Sequence, residues 1–341
     1  MKAIGYFTPG AIDREDALLD LDLPDPRPGP RDLLVEVRAI SVNPVDTKIR
    51  AGSSPAEGQA KVVGWDAAGV VRAVGDQVTL FKPGDEVFYA GSIARPGANS
   101  ELHLVDERIV GHKPVSLDFA QAAALPLTAI TAWELLFERL GVSRDGGDGQ
   151  TLLVVGAAGG VGSMLVQLAS KLTRLKVIGT ASRADTTQWV RDLGAHAVID
   201  HSKPIAEELK RIDVPEVAYI ASLTHTDAHY PQLVEALAPQ GKFGLIDDPE
   251  TPIDIMKLKR KAASLHWEFM FTRALFETPD MIEQHCLLDE VAVLVDRGVL
   301  QTTLGEHYGT INAANLKRAH ALIESGKARG KVVLEGFGHQ G

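Results

Sequence analysis

Seven residues, Gly156-Ala157-Ala158-Gly159-Gly160-Val161-Gly162, constrain this chain more than any others. Before them runs a continuous apolar stretch, Thr151-Leu152-Leu153-Val154-Val155. After them Val161, Leu165, Leu168 and Leu172 recur at helical spacing. A stretch apolar at nearly every position suits a parallel strand covered on both faces. Glycines between such a strand and a helix permit a sharp turn, a close approach of backbone to ligand, and tight packing of helix on sheet, because a Cβ would obstruct each. The helix start then offers free N–H groups and partial positive charge to phosphate. A tight turn with no ligand uses the same residues. In this strand–turn–helix setting the pattern predicts a dinucleotide pyrophosphate over Gly156, Gly159, Gly160, Val161 and Gly162.

Strands and helices continue to alternate downstream. Lys176–Thr180 reads as a strand, 185–193 as a helix, and Ala197–Asp200, Val217–Ile220 and Lys242–Ile246 as further strands. This alternation implies βαβ units in a doubly wound parallel sheet. The second strand ends Gly179-Thr180-Ala181-Ser182-Arg183, without the carboxylate that commonly accepts the ribose 2′-OH of NAD. The Ser182 hydroxyl and the planar Arg183 guanidinium suit an adenosine 2′-phosphate, so NADPH is the expected coenzyme. The competing reading of Arg183 is a solvated surface cation.

The first third is different. Leu33–Ile40 carries charges at the alternate positions Glu36 and Arg38, as a half-buried strand requires. Ala67–Val74 behaves similarly, and Lys82-Pro83-Gly84-Asp85 marks a turn before the strand Glu86–Tyr89. The proline-rich stretch 23–30 must be an extended connection. Together these predict a small antiparallel barrel. Asp118–Leu140 reads as helical with an interruption at Pro126; near the end, Ala313–Ser325 is an amphipathic helix and Lys331–Leu334 a closing strand. A length of 341 residues suits two domains. The formal net charge of −10 argues against nucleic acid. The single cysteine, Cys286, cannot build a disulfide framework or a cysteine-based structural zinc site. No apolar run reaches the ~18 residues of a membrane span and no secretory core follows Met1, so a cytoplasmic protein without a membrane partner is expected.

Several ordered motifs resemble the medium-chain dehydrogenase/reductase superfamily over nearly the whole chain. Besides the glycine turn, these are Ile40-Ser41-Val42-Asn43-Pro44-Val45-Asp46, Val63-Gly64-Trp65-Asp66-Ala67-Ala68-Gly69-Val70-Val71, Lys82-Pro83-Gly84-Asp85-Glu86-Val87 and Ala122-Ala123-Ala124-Leu125-Pro126. They are most similar to the quinone oxidoreductases and to the subgroup often labelled zinc-binding alcohol dehydrogenase. The resemblance implies an α/β protein with a GroES-like β-barrel over 1–125, a Rossmann domain over 126–275, and a segment 276–341 returning to the barrel. It also implies a homodimer or homotetramer, and an active site in the interdomain cleft. It puts Asn43 by the nicotinamide ribose or reacting centre, Thr131 near the nicotinamide, His201 where relatives carry a tyrosine by the 2′-phosphate, and Lys327 to Lys331 in a Gly-Lys segment near the cofactor. Ile246, ending the fifth strand, would back the nicotinamide ring. For His201 the rival is a strand-end surface group, and for Lys327 a solvated basic turn. Asp46 would orient Asn43 or cap the helix after it. Trp65 would floor the substrate pocket or simply pack.

Zinc relatives use a Cys, a His followed by Glu, and a further Cys or His. Here Asn43 replaces the first Cys, Trp65-Asp66 replaces the His-Glu pair, and Leu127-Thr128-Ala129 offers no thiol. An indole cannot ligate Zn²⁺, so no metal is expected. His225 and His229, four apart, could share a helix face and a metal, but read better as a polar helix start. Without a metal nothing polarises an alcohol for oxidation at neutral pH. Hydride transfer from NADPH to a quinone or α,β-unsaturated carbonyl is the expected activity, with Asn43, Asp46 and Trp65 as catalytic candidates. His266-Trp267-Glu268 is either a proton donor or part of a buried strand. The alternatives are a zinc-dependent alcohol dehydrogenase and a non-enzymatic NADPH-binding sensor.

Overall fold

The computed structural model describes residues 1–338, so the last three residues of the expected C-terminal segment lie outside it. Two compact units form: Met1–Ile130 with the chain from Phe271 onward, and Thr131–Met270. Residues 126–130 and 271–275, assigned from sequence to the nucleotide-binding domain, belong to the first unit instead. Local reasons are visible: the Leu127 N–H donates to Asp66, and the Phe271 ring meets Trp65 edge-on.

The first unit opens with β1 (Lys2–Tyr6), β2 (Leu19–Asp22), β3 (Asp32–Val42), helix α1 (Pro44–Gly52), β4 (Lys61–Val62), β5 (Ala67–Val74), β6 (Glu86–Tyr89), β7 (Leu102–Asp106) and β8 (Val110–His112). Strand β3 shows how its sequence works. Val35 and Val37 face the core, while Glu36 and Arg38 pair with each other at 2.8 Å on the outer side. From Ala39 on, both faces are buried, and the charges stop. Gly69 faces the Glu36 backbone so closely that a Cβ there would stand 2.2 Å from its carbonyl oxygen. At the Lys82–Asp85 turn, Gly84 takes φ +96°, and Asp85 accepts the Lys82 N–H at 2.9 Å. Helices α2 (Phe119–Ala123) and α3 (Pro126–Trp133) follow, then a π-helical turn over Glu134–Arg139. Phe119–Arg139 is apolar enough in composition to span a membrane, yet 83% of its most apolar window is buried within the fold.

The second unit carries β9 (Thr151–Val155), α4 (Gly160–Leu172), β10 (Lys176–Thr180), α5 (Ala184–Asp192), β11 (Ala197–Ile199), α6 (Ile205–Arg211), β12 (Val217–Ser222), α7 (Thr226–Ala236), β13 (Leu237–Leu245), α8 (Met256–Lys259) and β14 (Ser264–Trp267). All six strands are parallel, in the order β11-β10-β9-β12-β13-β14. That is the doubly wound Rossmann order, whose switch point lies between the first and fourth strands, here β9 and β12. Four of the five residues of β9 are buried, as the apolar run required.

The chain then returns to the first unit with α9 (Thr272–Phe276), α10 (Glu283–Asp296), β15 (Leu304–His307), α11 (Ala313–Glu324) and β16 (Lys331–Glu335). Strand β16 pairs antiparallel with β3, Val332 opposite Val42, completing the order β15-β16-β3-β5-β6-β8 with β7 beside β3.

Helix α4 lies on the sheet only because Gly162 has no side chain. A Cβ there would fall 2.3 Å from the Gly156 carbonyl oxygen and 2.6 Å from the Ala157 Cα, both backbone. Gly162→Ala should therefore cost about 1–3 kcal/mol or more through overpacking, read as a lowered urea midpoint with an unchanged slope.

Candidate coenzyme and reaction site

The second unit holds the turn expected to take the coenzyme. Gly156 leaves β9 with φ +80°, and its N–H donates to the Thr180 hydroxyl at 3.1 Å. The Gly159 N–H closes the turn on the Gly156 carbonyl at 3.1 Å. Gly159 is the N-cap of α4 and, lacking a side chain, leaves the first-turn N–H groups without a side-chain acceptor. The three glycines differ in cause. Gly162 is demanded by packing, and Gly156 by its positive φ. A Cβ on Gly159 would meet only the Gly156 oxygen, at 3.5 Å. The protein leaves that space open, a cradle that a side chain would fill and a phosphate suits. Gly160 and Val161 stand half-buried beside it.

Ser182 and Arg183 are exposed beyond the tip of β10. Arg183 caps α5, and its Nε donates to Asp185 at 3.3 Å. Asp185, in the first turn of α5, thus engages the guanidinium. Thr131 is buried in this unit, His201 is half-buried just after β11, and Ile246 is half-buried one residue past β13. Lys327 belongs to the first unit, exposed after α11, its N–H donating to the Ser325 hydroxyl at 3.3 Å.

The three catalytic candidates meet in the first unit, in a buried polar knot. Asn43 precedes α1, and its N–H donates to Asp46 at 2.7 Å, so Asp46 caps that helix. The Asn43 amide donates to Asp66 Oδ2 at 2.8 Å and to the Trp65 carbonyl at 3.1 Å. Into the same place Lys331, at the start of β16, brings its ammonium. It donates to Asp66 Oδ2 at 2.9 Å, to the Val42 carbonyl at 3.1 Å, and closely to Asn43 Oδ1. The Leu127 N–H takes the other Asp66 oxygen at 2.8 Å. Asn43, Asp46 and Trp65 are each 1% exposed, Asp66 0% and Lys331 3%. Burial pushes the Asp66 carboxyl up, while Lys331 and the Asn43 and Leu127 donors pull it back. Burial raises Asp46 to about 7, against the Asn43 N–H and the Lys331 ammonium. Trp65 packs edge-on to Phe271, ring centroids 6.3 Å apart, and its N–H is buried without a hydrogen-bond partner.

Zinc needs about four N, S or O ligands in a tetrahedron. Here the carboxylate is saturated by donors, the amide is engaged, and a lysine ammonium fills the centre. Among the described residues no group of three or more His, Cys, Asp or Glu is placed to hold a metal. This donor set does not fit zinc. A cleft of about 490 Å³ in the first unit, lined by residues such as Pro24, Lys61, Arg95 and His103, includes none of the residues predicted for the site.

Sequence reasoning placed Lys331 in the Gly-Lys segment and at the head of the closing strand but missed its carboxylate partner, although a lysine opening the apolar run Val332-Val333-Leu334 was a visible signal. It also missed the partners of Glu268. That carboxyl is 2% exposed, receives the Arg139 Nε at 2.8 Å, and lies beside buried Glu134 on the π-helical turn. Burial and then the Glu134 charge raise it to about 9. Its neighbour Trp267 is 52% exposed on the edge strand β14.

A six-stranded parallel sheet with a glycine cradle in one unit, and antiparallel strands in the other, define a two-unit nucleotide-binding enzyme class. Comparison with known proteins agrees. Residues 29–115 match the alcohol dehydrogenase GroES-like domain, and residues 193–334 match the zinc-binding dehydrogenase family. A Staphylococcus epidermidis zinc-type alcohol dehydrogenase-like protein is 38% identical over 98% of this chain and 99% of its own length. A provisionally named zinc-dependent alcohol dehydrogenase protein from Rhizobium etli CFN 42 has a crystal structure with TM-score 0.96 and 59% identity, covering 99% of each chain. Escherichia coli quinone oxidoreductase, solved complexed with NADPH, gives TM-score 0.83 and 26% identity over 98% of this chain and 100% of that one. The chain belongs to the medium-chain dehydrogenase/reductase superfamily, in its quinone oxidoreductase-like part, and is an oxidoreductase.

Two measurements check the knot. Lys331→Met leaves a buried carboxylate without its counter-charge and should cost about 3–5 kcal/mol in urea unfolding, part of it restored by adding Asp66→Asn. Asp46 has a folded-state pKa near 7, against about 3.9 unfolded. Its protonation therefore stabilises the fold fully at acid pH, and that contribution is lost as pH rises to about 7. Asp46→Asn, neutral throughout, should gain stability relative to the parent between pH 5 and pH 8.

Proposed function

We propose that this oxidoreductase transfers hydride from NADPH to a quinone or an α,β-unsaturated carbonyl without a metal. The observation that carries this reading is the Lys331 ammonium, held by Asp66 and Asn43 among the residues that stand at the zinc stations. A site already filled by an internal cation, with no free ligand set, gives no means of polarising an alcohol. An electron-poor conjugated acceptor needs no such help. Bound NADPH supplies the hydride, and a proton from water completes the quinol or saturated ketone. The chain's own part is to hold the coenzyme and exclude competing reactions, with positioning as the main source of rate.

The coenzyme assignment is supported by the open space at Gly159, by the uncapped start of α4, and by the exposed Ser182 and Arg183 after β10. The NADPH complex of the Escherichia coli quinone oxidoreductase supports it further. The zinc-bearing names of other relatives favour the rival reading, an alcohol dehydrogenase, which the same experiment separates.

Stopped-flow oxidation of NADPH and NADH with a benzoquinone and an enone panel should show turnover that survives EDTA, in protein with substoichiometric zinc. Arg183→Ala should raise KM for NADPH about tenfold or more, the size of one lost charge-assisted hydrogen bond, and leave NADH unchanged. Stoichiometric zinc that leaves together with activity would sink the metal-free reading.

A further inference from the structure

Three imidazoles converge at the carboxyl ends of the parallel strands, outside the glycine turn itself. His201 follows β11, His225 precedes α7, and His229 lies within the first turn or so of α7. Strands β11 and β12 stand three places apart in the sheet, a separation of about 14 Å. Even so, the loop after one and the helix after the other bring the His201 and His229 rings to 6.1 Å, edge to face. His201 Nδ1 is buried there with no hydrogen-bond partner. His225 sits in the left-handed region at φ +51°, its ring nitrogen 2.8 Å from the Thr224 hydroxyl. Thr224 in turn packs near Gly156, where a Cβ would reach its methyl at 2.8 Å. The cluster therefore adjoins the start of the coenzyme turn. It is also next to the β10 tip, because Ala181 donates to the Ile199 carbonyl at 3.0 Å, two residues before each of Arg183 and His201.

Carboxylates surround the cluster, and each is engaged by donors of the protein itself. Asp200 acts on His201 but is itself held by the Ser202 N–H and hydroxyl. On the α7 side, Asp227 accepts the Glu250 N–H, and Asp247 accepts the Thr226 N–H and hydroxyl. On α6, Glu208 is engaged by Arg211. Burial, and then the neighbouring imidazoles, hold His229 below the ordinary histidine range; burial and His225 do the same to His201, against Asp200. An anion arriving between His201 and His229 works against that depression, because an opposite charge within ~4–6 Å favours the protonated form.

We propose that His201, His225 and His229 form one anion subsite for a phosphate monoester, the extra phosphoryl group of a phosphorylated dinucleotide, so that coenzyme choice sharpens as the medium becomes acidic. This rests on the NADPH reading above and deepens it. Arg183 supplies a charge that does not titrate, and the histidines add one that does. The phosphoryl group is half protonated at about pH 6, so the window of interest lies above that.

The test is calorimetric titration of the full chain with NADPH, NADH and 2′,5′-ADP at pH 6.2, 7 and 8, in two buffers of different ionisation enthalpy. A second arm uses the His201→Gln/His229→Gln variant, with melting curves to confirm folding, and His225→Asn, which keeps a residue tolerant of positive φ. A shift of about one pKa unit at a single imidazole corresponds to about tenfold in affinity. In the parent, NADPH and 2′,5′-ADP should bind about tenfold tighter at pH 6.2 than at pH 8, with net proton uptake, while NADH changes by less than about twofold. The double variant should lose most of that pH dependence yet keep a preference for NADPH through Arg183. Parallel pH profiles in parent and variant, or no proton uptake, would overturn the histidine subsite and leave the coenzyme reading standing. Equal affinity for NADPH and NADH at every pH would instead remove the coenzyme reading and this inference with it.

Discussion

In the second unit two pieces of backbone meet with no room for a side chain between them. The start of α4 rests on the turn that leaves β9, with Gly162 against the Gly156 oxygen and the Ala157 Cα. No side chain larger than hydrogen fits between them. That contact sets where the helix begins, and the helix start is where the N–H groups and the positive end of the peptide dipoles point. A neighbouring glycine, Gly179, does the same for the second strand, since a Cβ there would meet Val190 and Ala157 at 2.5 and 2.9 Å. Packing of helix on sheet and readiness for an anion are consequences of one constraint.

In the other unit the organising feature is electrostatic. Lys331 and Asp66 are both removed from water, and such a pair is tolerable only when every remaining donor and acceptor is used. The structure meets that condition by drawing on four separate stretches of chain: the Val42 carbonyl and the Asn43 amide after β3, Asp66 before β5, the Leu127 N–H in α3, and Lys331 on β16. The returning C-terminal strand is thereby tied to the first half of the unit by charge as well as by its ladder with β3. On the metal-free reading proposed above, this ammonium stands where an external cation would otherwise be needed.

Much of the fold could be read from residue order. The strands Ala67–Val74, Glu86–Tyr89, Thr151–Val155 and Lys176–Thr180 stand where their patterns put them, because alternation and unbroken apolar runs are local consequences of which faces are covered. Helix α1 and the role of Asp46 in capping it were open to sequence reasoning for the same reason: a cap acts over three residues. The unit boundary was misjudged by five residues at each end. Whether residues 126–130 pack with one unit or the other depends on Asp66, which is far away in sequence.

What the amino-acid order by itself determined was the kind of protein: a glycine-led strand–turn–helix with alternating strands beyond it, a β-rich start, and a second-strand tip carrying Ser182 and Arg183 in place of an acid. These follow from steric and hydrophobic rules that act between near neighbours. Only the tertiary structure decided which charged groups share a buried space. It seats Lys331 on Asp66 across 265 positions, sets Glu268 against Arg139 and Glu134, and brings His201 to His229 from strands three places apart. Electrostatic partners are chosen by distance in space, which a one-dimensional pattern does not contain.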